Sequence, residues 1–124
     1  MMIYTPITKL ALNTAYKAHE GQLDRSGLPY IFHPYHVAEQ MKDEITCAIA
    51  LLHDVVEDTD MTLEELEKLF PPAVTEGVRL MTHDDSTDYF DYVRRIKGTV
   101  AEPVKRADIA HNSDLSRMDT VTEK

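Results

Sequence analysis

The sequence predicts an all-helical fold, and three observations carry that expectation. Only 4 glycines and 6 prolines punctuate 124 residues. No stretch alternates β-branched and polar residues between turns, as a half-buried strand would. Apolar residues instead recur at the three- and four-residue intervals of a helix face, with neither internal repeat nor low-complexity segment.

The elements follow in order. Thr5 with Pro6 behind it marks a helix start, and Ile7, Leu10, Ala11, Thr14, Ala15 and Ala18 form one stripe up to about Glu20. Gly21 to Ile31, with Ser26, Gly27 and Pro29, is a loop. His33-Pro34 opens a helix to about Met41, and Asp43 caps the next, Glu44 to about Val56. That helix is apolar on nearly every side, the pattern of a buried central element. Thr62 and Glu65 form a capping box for a helix to Phe70. Further helices are expected over Pro72 to Met81, Asp88 to Lys97 and Glu102 to about Arg117.

Apolar residues make up 43% of the chain, enough for one core, so a single domain over residues 1–124 is expected. Thirteen Lys and Arg against 22 Asp and Glu give a formal charge of -9, which opposes binding to a polyanionic nucleic acid. The single cysteine, Cys47, excludes an internal disulfide framework and a Cys-rich zinc module, and suits a reducing cytoplasm. The longest apolar run, Ile45 to Leu52, is too short to cross a bilayer, so no membrane association is expected.

Chemistry concentrates where the buried helix ends. His53-Asp54 interrupts an apolar run, and burying those groups without partners is costly. A divalent cation would compensate them, and the negative end of the helix dipole favours one there. Glu57 lies four residues after His53 and Asp58 four after Asp54, so one helix end offers a His and three carboxylates. Mixed imidazole and carboxylate donors suit Mn, Fe, Zn or Mg. The same pattern also describes an acidic, solvated helix end with His53 hydrogen-bonded in the core. His33, before a helix-starting proline, is tethered at a rigid junction, although taken singly it also fits a core histidine. Asp108, among apolar neighbours in a helical segment, requires a partner, and Asn112 one turn on shares its face.

In the order His33, His53-Asp54, Asp108, these residues match the metal-binding pattern of the HD superfamily of metal-dependent phosphohydrolases. The runs Ala18-His19-Glu20-Gly21-Gln22, Ser26 to Pro34, Ala50 to Thr59 and Val104 to Asn112 more closely resemble the hydrolase domain of the RelA/SpoT family, over about Ala15 to Arg117. The resemblance implies an HD-domain helical bundle that cleaves the alarmone (p)ppGpp, like the small alarmone hydrolases. It implies His33, His53, Asp54 and Asp108 as metal ligands, with manganese as the ion. Glu57 and Asp58 match the acidic pair that orients and deprotonates the attacking water, and Asn112 a residue near the substrate's ribose or phosphate. The implied reaction removes the 3'-pyrophosphate of ppGpp or pppGpp, giving GDP or GTP.

Several positions depart from that pattern. Where the family commonly has two basic residues before Ser-Gly, this chain has Asp24 and then Arg25, which leaves Arg25 as the cation expected to meet the nucleotide. Asp114 and Leu115 replace a common Arg and Thr, His83 a common Lys, and the stretch between Thr82 and Val104 is short. These changes favour a second reading, an HD phosphohydrolase for another nucleotide or phosphate ester. A third is a non-catalytic nucleotide sensor, against which Glu57 and Asp58 argue. Synthetase activity is not expected, since 124 residues leave no room for that separate domain. Tyr89, Phe90, Tyr92, Val93 and Ile96 are expected in core and interface, Glu64, Glu65 and Glu67 on a solvated face, and His36 half-buried near His33. Of Arg25, Lys105, Arg106 and Arg117, at least one must face a polyphosphate.

Overall fold

Thr5 and Thr8 start the first helix by exchanging bonds. Thr5 Oγ1 accepts from the Thr8 N–H at 3.2 Å, and Thr8 Oγ1 accepts from the Thr5 N–H at 2.8 Å. In the computed structural model, which describes residues 1–83 and 86–113, eight helices follow one another. They are α1 (Pro6–Ala18), α2 (Phe32–Glu39), α3 (Glu44–Leu52), α4 (Val55–Asp58), α5 (Leu63–Leu69), α6 (Pro72–Met81), α7 (Tyr89–Ile96) and α8 (Glu102–Asn112). Among the described residues there is no strand, only an isolated bridge between Leu23 and Pro29. The expected all-helical class is therefore the observed one.

The expected central helix is central. Asp43 caps α3 by accepting from the Thr46 N–H at 2.8 Å, and Thr46 to Leu52 are all buried. It packs against α1, α2, α6 and α8. Ile49, Leu51 and Leu52 are fully enclosed, each adding about 1.5–3 kcal/mol of apolar burial. Gly77 of α6 lies where any Cβ would overlap the Ile49 side chain, so α6 and α3 approach as closely as they do only because residue 77 has none.

The helix expected to run on to Val56 breaks after Leu52. The His53 ring donates Nδ1–H to the Ala50 carbonyl at 2.5 Å, the acceptor that a continuing helix would have offered to the Asp54 N–H. The chain turns through His53 and Asp54 and resumes as α4. Residues beyond 113, including Asp114, Leu115 and Arg117, lie outside the described residues, as does the end of the expected last helix.

Gly21 to Ile31 forms the expected loop. The Asp24 N–H donates to the Leu28 carbonyl at 2.8 Å, Gly27 turns the chain at φ 80°, and the Tyr30 N–H returns to the Gln22 carbonyl at 2.9 Å. Among the described residues, no helix is long and apolar enough to cross a membrane.

Candidate metal centre

Three segments deliver one cluster. His33 enters on the first turn of α2, His53 and Asp54 occupy the break between α3 and α4, and Asp108 faces inward from α8. A ligand atom from each of these four lies within 4.8 Å of every other. His33 Nε2 is 2.8 Å from Asp108 Oδ1 and 3.6 Å from Asp54 Oδ2. His53 Nε2 is 3.1 Å from Asp54 Oδ2 and 3.3 Å from Asp108 Oδ1. His33, His53 and Asp108 are buried and Asp54 nearly so.

The electrostatics call for positive charge here. Burial disfavours a charged His53 ring, but Asp54 and Asp108 outweigh it and push its pKa up to about 10. Burial likewise opposes ionisation of Asp108, yet bonds from His33 and His53 hold its carboxyl well below the ordinary carboxylate range. Asp54 is held low by His53 and by the Tyr30 hydroxyl, which donates to Oδ2 at 2.6 Å. Two imidazoles and two ionised carboxylates, enclosed and convergent, fit a divalent cation that accepts mixed N and O donors.

Glu57 and Asp58, on α4, stand beside the cluster rather than in it, and both are exposed. Glu57 Oε1 accepts from the His83 N–H. Desolvation, then the Asp54 charge, holds both carboxyl groups above their ordinary values; the His83 N–H offsets part of this at Glu57. A carboxylate with a raised pKa is the better proton acceptor near neutral pH. Gln22 ties Asp58 to the loop, donating Nε2–H to its carbonyl at 2.8 Å while Oε1 meets His19 Nδ1 at 2.8 Å.

Asn112 donates Nδ2–H to Asp108 Oδ1 at 3.3 Å and is otherwise exposed, so it borders the cluster. Arg25 is exposed at the turn of the loop. Asp24 performs a local task, its Oδ1 accepting from the Ser26 N–H at 2.8 Å and the Leu28 N–H at 3.0 Å. The His83 ring bonds the Thr87 carbonyl through Nε2 at 2.7 Å and lies against Tyr92.

Three residues of the site, His111, Tyr30 and Gln22, have no role read from the sequence, and a fourth, Lys105, is one of the four cations of which at least one is expected to face a polyphosphate. Lys105 places Nζ 3.2 Å from Asp108 Oδ2 with its side chain only 14% exposed, and the rings of Tyr92 and Tyr89 lie 5.2 and 5.8 Å from it. His111 is buried with Nδ1 2.7 Å from His33 Nδ1. The signal for both was their spacing of three residues from Asp108, which places them on its face of the helix. Tyr30 and Gln22 gave no comparable signal, because a loop imposes no period. His36, expected half-buried, is exposed but lays its ring on His111 at a centroid distance of 4.2 Å. Tyr92 and Ile96 join the core, whereas Tyr89 and Phe90 are 50% and 72% exposed, so the expected stripe divides.

The HD domain family matches residues 11–118. The chain is 45% identical over 78 residues to the bifunctional (p)ppGpp synthase/hydrolase SpoT of Escherichia coli (strain K12), covering 60% of this chain and 11% of that protein. It is 36% identical over 121 residues to the GTP pyrophosphokinase rsh of Brucella melitensis biotype 1, covering 90% of this chain and 16% of that protein. The chain thus spans a small fraction of the length of these curated relatives. A solved structure described as "A metazoan ortholog of SpoT hydrolyzes ppGpp and plays a role in starvation responses" superposes with a TM-score of 0.80 at 31% identity, over all of this chain and 78% of that one.

Proposed function

This chain belongs to the HD domain family, and on that footing we propose that residues 1–124 form a single Mn2+-dependent phosphohydrolase domain that removes the 3'-pyrophosphate of ppGpp or pppGpp. The observation that carries the reading is the convergence of His33, His53, Asp54 and Asp108 within 4.8 Å, with the carboxylates of Glu57 and Asp58 alongside. The substrate class is supported by the relatives described as (p)ppGpp hydrolases, one of them matching this chain over its whole length.

In this reading His33, His53, Asp54 and Asp108 hold the cation. When bound, Mn2+ supplies Lewis acidity, lowering the pKa of water and polarising a phosphoryl oxygen. Glu57 and Asp58 orient the attacking water and accept its proton as its oxygen bonds to phosphorus; the bond from phosphorus to the ribose 3'-oxygen breaks, and that oxygen takes a proton from solvent, which releases pyrophosphate and GDP or GTP. The raised pKa values of the pair suit that task. Asn112, at the rim of the cluster, meets the ribose or a phosphate, and Arg25 grips a phosphate or stacks on the base. Lys105 balances Asp108 and offsets the repulsion that a net charge of -9 presents to a polyphosphate.

One observation favours the second reading, a phosphohydrolase for another nucleotide. Asp24 places a carboxylate, bonded into the loop, where the RelA/SpoT pattern has a cation. A panel of nucleotides incubated with Mn2+, with pyrophosphate and orthophosphate measured separately, decides between them. Pyrophosphate from guanosine 3',5'-polyphosphates alone supports the first reading. Orthophosphate, or equal turnover of nucleotides lacking a 3'-pyrophosphate, replaces it with the second.

A further inference from the structure

The two imidazoles of the cluster are oriented by different partners. His53 gives its Nδ1–H to the Ala50 carbonyl at 2.5 Å, which leaves Nε2 facing Asp54 and Asp108. Among the described residues, no backbone carbonyl bonds the His33 ring. Its Nδ1 lies 2.7 Å from Nδ1 of His111, and Nε2 is the nitrogen turned toward Asp108 and Asp54.

Two ring nitrogens at that distance hold one proton between them, one ring donating and the other accepting. The ring planes lie within 16° of each other with centroids 4.9 Å apart. That is the geometry of an end-to-end hydrogen bond between near-coplanar rings; a face-to-face stack would not bring the two Nδ1 atoms so close. His36 covers a face of the His111 ring at 4.2 Å and 25°, fixing its plane. His111 itself is buried, one helical turn beyond Asp108 on α8.

A histidine that offers the Nε2 lone pair to a cation carries its proton on Nδ1, and that N–H needs an acceptor. We infer that His111 is a positioning residue of the metal centre, its Nδ1 accepting the His33 Nδ1–H and so selecting the tautomer in which His33 Nε2 can ligate. The inference rests on the reading of His33 as a metal ligand given above. It assigns α8 two tasks at the site, Asp108 as a ligand and His111 as the group that aims a ligand from α2.

The test is the Mn2+ affinity of the full chain, measured by titration calorimetry at constant pH for wild type, His111→Leu, His111→Asn and Asp54→Ala. Leu and Asn have similar shapes, but only Asn places an acceptor near the former Nδ1. Loss of an outer partner of a ligating histidine commonly costs 10–100-fold in affinity, so His111→Leu should bind about 10-fold or more weakly. His111→Asn should recover most of that loss. Equal affinity of His111→Leu and wild type, or equal loss in both His111 variants, overturns the inference. No Mn2+ binding by wild type, or undiminished binding by Asp54→Ala, overturns the metal-centre reading and the inference with it. If His111→Leu does not fold, nitrogen NMR of wild type loaded with diamagnetic Zn2+ decides: a proton on His33 Nδ1 supports the inference, and its absence there refutes it.

Discussion

The Lys105 ammonium lies 3.2 Å from Asp108 Oδ2, while Asp108 Oδ1 lies 2.8 Å from His33 Nε2 and 3.3 Å from His53 Nε2 and accepts from Asn112 Nδ2–H. The two oxygens of one carboxylate thus have separate duties, one tied to a largely buried cation and the other turned into the cluster. Removing the cation leaves a buried carboxylate with one side uncompensated. Lys105→Met should therefore cost about 1–3 kcal/mol in a urea unfolding titration. Lys105→Arg, which keeps the charge, should recover part of it. Wild-type stability in Lys105→Met would show that the pair is solvated and of no structural weight.

Gly77 provides a test of the frame that carries the site. A methyl at this position overlaps Ile49, and overpacking of this kind typically costs about 1–3 kcal/mol. Gly77→Ala should lower the melting temperature, and Gly77→Ala combined with Ile49→Ala should lose less than the two single changes added together, since the two positions are in contact. Strictly additive destabilisation in the double variant would contradict the close approach of α6 to α3.

In the proposed reading Glu57 is a base that sets the acid limb of the activity profile. A base must be ionised, so activity falls as pH drops through its pKa, and desolvation and the Asp54 charge place that pKa above the ordinary 4.5 of a glutamate. Carboxyl NMR of the metal-free chain, in which the Asp54 charge is not offset by a cation, should show Glu57 titrating above 4.5. Glu57→Gln combined with Asp58→Asn should keep Mn2+ binding while lowering turnover by roughly 100-fold or more. If metal binding disappears along with activity, the pair has a ligand or structural role instead.

Asp24 and Arg25 separate loop architecture from substrate recognition. Arg25→Ala should leave the melting temperature unchanged and lower kcat/KM on ppGpp by roughly 5- to 150-fold, the range expected for a phosphate-gripping or stacked arginine. Asp24→Ala should instead loosen the loop, because Oδ1 holds the N–H groups of Ser26 and Leu28. Limited proteolysis at the loop would reveal this. Equal activity of Arg25→Ala and wild type would remove the loop from nucleotide recognition.

Much of the fold was legible because helices advertise themselves locally. Thr5-Pro6, Asp43 and Thr62 with Glu65 are short-range signals that need no tertiary partner, and each caps the helix expected of it. The break at His53 was not legible, because it depends on a ring bonding the Ala50 carbonyl, a choice settled by the carboxylates across the cluster. The four residues read as ligands were visible as polar groups in apolar surroundings, and they do converge. The sequence offers Lys105 only as one of four cations and gives His111 no role, because neither is placed until Asp108 is known to face inward. Asp24 reads from the sequence as a departure in recognition, and the structure gives it a backbone-capping task that sequence comparison alone does not reveal.

The most direct test of the central claim is product analysis of ppGpp incubated with the purified chain, with and without Mn2+, beside Asp54→Ala. GDP and pyrophosphate should appear in equal amounts only with wild type and Mn2+, and Mn2+ should raise the melting temperature of wild type but not of Asp54→Ala, in keeping with stabilisation by a ligand of the folded state. Turnover that persists in chelator or in Asp54→Ala, or intact ppGpp in every arm, would contradict the assignment of His33, His53, Asp54 and Asp108 as the metal centre of a (p)ppGpp hydrolase.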